Sequence, residues 1–149
     1  MFLRIRPSRP ADGTRIVEIW CAAVDATHDF LAPADRAAIE DEVRTHLPGT
    51  PMWLAVDAAD RPLAFMILDG GHMEALFVDP AMRSAGVGRR LVEHALTLTP
   101  ALTTDVNAQN PQALGFYSRL GFVPIGRSET DGQGRPYPLI HLRLDPPTR

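Results

Sequence analysis

The feature that most constrains the fold is a change of sequence pattern between Phe77 and Leu96. An apolar run ends at Asp79-Pro80, the stretch Arg83-Ser84-Ala85-Gly86-Val87-Gly88 follows, and apolar residues then recur at helical spacing. This pattern predicts a strand, a tight turn and the N-terminus of an amphipathic helix. The first amides of such a helix have no acceptor within it, and the two glycines leave the backbone open to an anion. The turn is therefore a candidate diphosphate site, although the glycines alone are equally compatible with a plain strand-to-helix turn.

Charge and composition narrow the class of protein. The 149 residues are enough for one domain, and their hydrophobic content of 45% is enough for a core. The formal net charge of −3 argues against a broad nucleic-acid surface, and the opening segment MFLRIRPSRP lacks the apolar region of a signal peptide. We therefore expect a cytoplasmic monomer or homodimer that binds neither nucleic acid nor membrane.

The basic residues and the possible metal ligands exclude several kinds of chemistry. All fifteen Lys+Arg residues are arginine, so the 149 residues contain no lysine. Without lysine they can form no Schiff base and no G-x-x-x-x-G-K-[ST] phosphate loop. The single cysteine, Cys21, lies among apolar residues, which predicts a packed, inert thiol rather than a nucleophile. His72-x-Glu74 is half of a zinc-deaminase pattern, but no C-x-x-C follows it. We predict no metal site.

The remaining periodicities predict one mixed α/β domain over residues 1–149. Helices are expected after Asp12, a candidate N-cap, after Pro33, from Val87 to about Thr99, and after Asn110. Strands are expected at residues 2–6, 52–57, 62–68, 72–78, 101–108, 122–129 and 137–145. Short turns separate the second, third and fourth strands, so these three are expected to form an antiparallel meander.

Two motifs in sequence order carry a family resemblance. Arg83, Gly86 and Gly88 match the pattern Q/R-x-x-G-x-G/A, and a second pattern is matched by Asn110, Ala113, Phe116-Tyr117 and Gly121-Phe122. Together they resemble the GNAT superfamily of N-acetyltransferases, and the tail from residue 126 to 144 is similar to the YjaB type of bacterial GNAT proteins. The resemblance implies an α/β fold with a central, mostly antiparallel sheet of about seven strands and about four helices.

The resemblance also implies acetyl-CoA as co-substrate and assigns residues to it. The pyrophosphate is expected on the amides of residues 84–89 beside Arg83. The pantetheine arm is expected on the backbone of residues 76–78, where an N–H would polarise the thioester carbonyl. Asn110 matches the family's cofactor-contacting asparagine, and Asn107 is a second candidate. The predicted cofactor-binding residues are Leu76, Phe77, Val78, Arg83, Ser84, Ala85, Gly86, Val87, Gly88, Arg89, Asn107, Asn110 and Tyr117.

Two side chains are candidates for proton transfer. Tyr117 matches the position from which the family commonly protonates the departing CoA thiolate, although its spacing from Ala113 and Leu120 is also typical of a packed ring. Glu74 interrupts an apolar strand and is the candidate base, directly or through water. A solvent-facing carboxylate is the alternative for Glu74.

The acceptor site is the least determined part of the sequence. The resemblance places it near the first helices and the later strands, and the predicted lining residues are Trp20, His28, Asp29, Phe30 and Tyr137. Asp29 beside an aromatic face can bind an amine, but residues 27–31 are equally compatible with an ordinary helix end. The predicted reaction is direct acetyl transfer from acetyl-CoA to a primary amine of a small molecule or peptide. The alternatives are a CoA-binding module without turnover and a protein lysine or N-terminal acetyltransferase.

Overall fold

The computed structural model describes residues 2–145. Their strands form a seven-stranded sheet in the order β1-β2-β3-β4-β5-β7-β6. The strands are β1 (Arg4–Pro7), β2 (Trp53–Val56), β3 (Pro62–Asp69), β4 (His72–Val78), β5 (Leu102–Asn107), β6 (Val123–Ser128) and β7 (Leu139–Leu144). The α-helices are α1 (Gly13–Thr27), α2 (Pro33–His46), α3 (Val87–Leu98) and α4 (Pro111–Leu120). The expected fold class and element order are confirmed.

The pairing of the strands is mixed, as expected. β1 with β2, β2 with β3, β5 with β7 and β6 with β7 are antiparallel, whereas β4 pairs with β5 in parallel. The chain divides into two compact units. The first contains the residues up to Ile67 together with Ala75–His94, and the second contains Leu68–Glu74 together with the residues from Ala95 onward.

The core of the first unit lies between α1 and the strands β2 and β3. Ile16, Ile19 and Trp20, spaced for one helical face, pack with Leu54 and Phe65 in one buried cluster. Each such side chain contributes about 1.5–3 kcal/mol when fully buried. The helical periodicity of this segment therefore predicted the core correctly.

Asp12 departs from its predicted role as an N-cap. It precedes α1, but its side chain makes no cap hydrogen bond to that helix. Instead its carboxylate accepts two hydrogen bonds from buried Arg6, at 2.9 Å from Nη1 and 3.0 Å from Nη2. Arg6 also pairs with Asp60 at 2.8 Å. A hydrogen bond to a charged group contributes about 1.5–3 kcal/mol, more than the roughly 1 kcal/mol of a cap. The guanidinium of Arg6 also lowers the pKa of Asp12.

The second unit is built on β5, β7, β6 and α4. Asn110 is the N-cap of α4, since its Oδ1 accepts the N–H of Ala113 at 3.1 Å, and Pro111 opens the helix as expected. Gly121, with φ of 102°, ends the helix in the left-handed conformation that favours glycine. Among residues 2–145, no helix has both the length and the apolar character needed to cross a bilayer.

Candidate active site

The turn that precedes α3 adopts an uncommon backbone conformation. Ser84 and Gly86 both have positive φ angles, 67° and 79°. The left-handed region costs a residue with a side chain about 1–2 kcal/mol. A Cβ at Gly86 would meet nothing within 4 Å, so the backbone angle rather than crowding favours glycine there. Strain of this kind persists where the surrounding structure imposes it, which is common in ligand-binding turns.

The same turn presents donors and positive charge to solvent. The N–H of Arg90 donates to the carbonyl of Gly86 at 3.1 Å, so the amides of residues 87–89 are the first-turn donors that have no acceptor inside α3. The helix dipole adds a partial positive charge at this end. Val87 and Gly88 are buried. The exposed residues are Arg83, Ser84, Ala85, Gly86, Arg89 and Arg90. This arrangement suits an anion such as a diphosphate.

The start of the turn is held by an ion pair that the sequence did not reveal. The carboxylate of Asp79 accepts the N–H of Ala81 at 3.0 Å and pairs with Arg15 Nη2 at 2.6 Å. The guanidinium of Arg15 lowers the pKa of Asp79. Asp-Pro is a recognisable turn pattern, but nothing in the sequence links it to an arginine on α1.

β4 carries the backbone groups that the resemblance assigns to the pantetheine arm. Within residues 2–145, the parallel register of β4 against β5 comprises two pairs, His72 with Thr103 and Met73 with Thr104. Leu76–Val78 lie beyond this pairing. Glu74, the candidate base, is exposed, whereas the preceding Met73 is fully buried. The side chain of Glu74 therefore faces solvent.

The two asparagines predicted to contact the cofactor have local roles in the second unit. Asn110 is 6% exposed, and its Oδ1 is occupied by the N–H of Ala113 as the cap of α4. A contact from Asn110 to a cofactor would therefore use the Nδ2 donors. The Oδ1 of Asn107 accepts a long bond of 3.4 Å from the N–H of Gln109. Asn107 is thus less firmly held than Asn110.

Tyr117 lies in the core of the second unit. It is 7% exposed, and its ring makes edge contacts with Phe116 and Phe122 at centroid distances of 5.1 Å. Its hydroxyl is hydrogen-bonded to Thr104. Burial raises the pKa of Tyr117 well above its usual range, and the hydrogen bond with Thr104 opposes that rise. The phenol is therefore protonated throughout the physiological pH range.

Thr104 fixes the direction of the tyrosine hydrogen bond. The Thr104 hydroxyl donates its one hydrogen to the carbonyl of Met73 at 2.9 Å, so it accepts the hydrogen of the Tyr117 phenol. Thr104 is 3% exposed. Sequence reasoning missed this residue because a threonine on a strand gives no sign of which helix packs over it.

The predicted acceptor residues differ widely in exposure. In the first unit Trp20 is 5% exposed and the Arg36 guanidinium lies 4.8 Å from its ring centroid, so Trp20 packs in the core. His28 contacts the ring of Phe30 at 5.2 Å, and burial lowers the pKa of His28. Asp29 is exposed. In the second unit Tyr137 is 6% exposed.

The remaining reactive groups are the thiol of Cys21 and the side chains that could bind a metal ion. Cys21 is a partly buried free thiol packed against the first-unit core. Within the part of the chain that the structure describes, no three His, Cys, Asp or Glu side chains are grouped so as to hold a metal ion.

Comparison with known proteins agrees with this geometry. Residues 24–137 match the family described as acetyltransferase (GNAT) domain. The chain is 56% identical over 142 residues to the peptidyl-lysine N-acetyltransferase YjaB of Escherichia coli K12, covering 95% of this chain and 97% of that protein. The solution structure of apo-form YjaB from Escherichia coli superposes with a TM-score of 0.93 at 55% identity, covering 96% of this chain and 97% of the other.

A more distant structure shares the fold. The PaiA N-acetyltransferase of Thermoplasma acidophilum, solved in complex with coenzyme A, is 16% identical with a TM-score of 0.78, and the match covers 98% of this chain and 100% of that one. The expected resemblance to GNAT proteins of the YjaB type is confirmed. With a family match over most of its length and a relative above half identity, the chain belongs to the GNAT acetyltransferases.

Proposed function

We propose that this N-acetyltransferase moves the acetyl group of acetyl-CoA directly to the side-chain amine of a lysine in a peptide or protein. The observation that carries the proposal is the 56% identity, over 95% of the chain, to a protein named as a peptidyl-lysine N-acetyltransferase. The sequence alone left a small molecule and a peptide open as acceptors. The relative favours the peptide.

The strained turn before α3 is proposed to hold the diphosphate of acetyl-CoA. Its support is the set of first-turn amides, the exposed Arg83 and Arg89, and the open space at Gly86. The GNAT neighbour solved with coenzyme A supports the same ligand class. The backbone of Leu76–Val78 is proposed to pair with the pantetheine arm and to polarise the thioester carbonyl.

Acetyl transfer requires two proton movements. The lysine amine, with an ordinary pKa near 10.4, must lose a proton before or during attack, and exposed Glu74 is proposed to accept that proton directly or through water. The amine nitrogen then bonds to the acetyl carbon, and the carbon–sulfur bond breaks. The departing thiolate takes a proton, which we assign to Tyr117.

Thr104 is proposed to position the phenol of Tyr117 for that step. A hydroxyl that already donates to the Met73 carbonyl can only accept from the phenol in this state. When Tyr117 gives up its proton, the Thr104 hydroxyl can rotate and donate to the phenolate instead. This exchange agrees with the lowering effect of Thr104 on the pKa of Tyr117.

The absence of lysine from these residues simplifies the test. Because all fifteen Lys+Arg residues are arginine, any acetyl-lysine formed in a reaction lies in the acceptor and not in the 149 residues of the enzyme. The experiment compares a peptide that carries one lysine and a blocked N-terminus with the same peptide in which that lysine is arginine. Both thiol release and the peptide's mass are measured, for the wild type and for Tyr117→Phe.

The outcomes separate the candidate functions. Thiol release and one added acetyl group on the lysine peptide alone, with a loss of about 100-fold in kcat for Tyr117→Phe, support the proposal. Binding of acetyl-CoA without thiol release from any amine would identify a binding module. Turnover with small amines but not with the lysine peptides would overturn the peptide acceptor. Equal kcat for wild type and Tyr117→Phe would remove Tyr117 as the acid.

A further inference from the structure

Three side chains of the second unit form a chain of short hydrogen bonds that acetyl transfer does not use. His141 on β7 places Nε2 2.7 Å from Ser128 Oγ and Nδ1 2.6 Å from Asp105 Oδ1. Ser128 is the last residue of β6, and Asp105 lies on β5. A serine, a histidine and a carboxylate joined in this order form the arrangement that activates a serine hydroxyl as a nucleophile.

The strand register builds this arrangement. His141 is the cross-strand partner of Asp105 in the β5–β7 ladder and of Gly126 in the β6–β7 ladder. The β6 strand has a register shift between Pro124 and Gly126. A Cβ at Gly126 would lie 3.3 Å from His141 Cδ2. The glycine therefore lets the imidazole lie close against β6, from where Nε2 reaches the side chain of Ser128 two residues further on.

The partners also set the tautomer of His141. An ionised carboxylate can only accept hydrogen bonds, so in neutral His141 the Nδ1 carries the hydrogen that points to Asp105. The lone pair of Nε2 then faces Ser128 Oγ and accepts its hydrogen. This is the orientation that a general base needs. The other oxygen of Asp105 lies 3.5 Å from Nε2 of His72, which also constrains the carboxylate.

The nucleophile is accessible from solvent. Ser128 is partly exposed, and the side chains of His141 and Asp105 are 30% and 37% exposed. β6 is the last strand in the sheet order, so its outer edge has no strand partner within residues 2–145. Such an edge presents backbone N–H groups, the kind of donor that stabilises a tetrahedral oxyanion. Ile125 on the same strand is 57% exposed and offers an apolar contact to a short acyl chain.

We propose that Ser128, His141 and Asp105 form a second acyl-transfer centre, which cleaves activated esters of short carboxylic acids. Ser128 Oγ attacks the ester carbonyl carbon while His141 Nε2 takes the hydroxyl proton. The carbon–oxygen bond to the leaving alcohol breaks, and His141 returns the proton to that oxygen. Water then attacks the acyl-serine, gives one proton through His141 to Ser128 Oγ, and releases the acid.

The test uses p-nitrophenyl acetate without CoA or amine, so its outcome is independent of the proposed lysine acetylation. The 149 residues of the protein contain no lysine, so the commonest protein nucleophile that this ester acetylates is absent from them. The remaining thiol is removed by working in a Cys21→Ala background. Nitrophenolate release is followed for that parent and for Ser128→Ala, His141→Gln and Asp105→Asn. Ser118→Ala, which changes an exposed serine of α4, is the matched control.

The expected result is a loss of about 100-fold in the enzymatic rate for Ser128→Ala and His141→Gln, with Ser118→Ala equal to the parent. Asp105→Asn is expected to slow the reaction because the tautomer is no longer fixed. Rapid quenching of the parent should give one acetyl group on the peptide that carries Ser128. Parent and Ser128→Ala hydrolysing at the same rate would overturn the proposal, and so would a quenched parent without acetyl on Ser128. The quenched mass does not depend on any variant folding.

Discussion

The hydrogen-bonded pair Tyr117 and Thr104 predicts unequal costs for two conservative substitutions. In Tyr117→Phe the Thr104 hydroxyl keeps its bond to the Met73 carbonyl, so one net hydrogen bond is lost, at about 1 kcal/mol of unfolding free energy. In Thr104→Val the phenol hydroxyl stays in a site only 7% exposed and loses its acceptor, and the Met73 carbonyl loses the hydroxyl that donates to it. An unsatisfied buried donor costs about 1–3 kcal/mol. We therefore expect about 2 kcal/mol for Thr104→Val.

The double variant completes the argument. Once the valine is present, replacing the tyrosine removes the orphaned hydroxyl and recovers the cost of leaving it unsatisfied. The double variant should therefore lose about 1 kcal/mol rather than the sum of about 3, a coupling of about 2 kcal/mol.

Urea denaturation followed by circular dichroism measures these differences, provided the slopes of the transitions stay equal. Thermal midpoints should fall by about 2–4 °C for each kcal/mol lost in a chain of this size. A Thr104→Val variant no less stable than Tyr117→Phe, or costs that simply add, would refute the assigned direction of the hydrogen bond. Ser118→Ala on the exposed face of α4 is the control.

Four further substitutions, at three positions, test other parts of the structure. Gly86→Ala should cost about 1–2 kcal/mol of unfolding free energy because the φ of 79° disfavours a residue with a side chain, although its Cβ would meet no clash. Gly86→Glu should also abolish the rise in thermal midpoint that we expect CoA to give the wild type. An undiminished rise would show that the turn does not bind the diphosphate. Arg83→Ala should weaken CoA binding roughly tenfold at low salt, corresponding to about 1.5 kcal/mol for a charged hydrogen bond, and the difference should shrink at high salt in calorimetric titrations. Asp12→Asn should cost about 2 kcal/mol at neutral pH, because it weakens the charged hydrogen bonds of buried Arg6, which keeps Asp60 as its other partner. Because the pKa of Asp12 is lowered in the folded state, its contribution is present above the unfolded pKa near 3.9 and is lost as the pH falls through the lower folded value. The wild type should therefore lose its advantage over Asp12→Asn in acid unfolding curves, and a constant difference down to pH 2 would contradict this linkage.

The elements were predictable where one physical signal dominates. The alternation or continuity of apolar residues located all seven strands, and the 3.6-residue period located α1 together with its buried face. Asn110-Pro111 marked the start of α4 because an asparagine cap followed by proline satisfies the first turn without a lost N–H. The predicted strand at residues 72–78 matched β4 at both ends, and the ends of the other strands differed from the prediction by no more than two residues, since fraying ends carry little apolar signal.

The contacts of individual polar side chains were not predictable in the same way. Asp12 had the pattern of a helix cap, but its partner Arg6 lies on β1 and competes more strongly for the carboxylate. Arg15 and Asp79 are far apart in sequence, and only the packing of α1 beside β3 and the turn brings them to 2.6 Å. The turn before α3 was identified by its glycines, but the positive φ of Ser84 had no signal, because serine is not a residue that favours that region.

Burial of Tyr117 also sets a condition on its proposed role as the acid. A phenol whose pKa is raised by burial is a weaker acid than an exposed one, and in this state its hydrogen is directed to Thr104. Proton transfer to a thiolate therefore requires that the sulfur replace Thr104 as the acceptor. The thiolate is charged, so the new hydrogen bond is the stronger of the two, and it exists only as the carbon–sulfur bond breaks. An interaction formed in the transition state and absent from the ground state raises kcat without tightening substrate binding. The proposed role therefore requires Tyr117→Phe to lower kcat while the Kd for acetyl-CoA stays near that of the wild type.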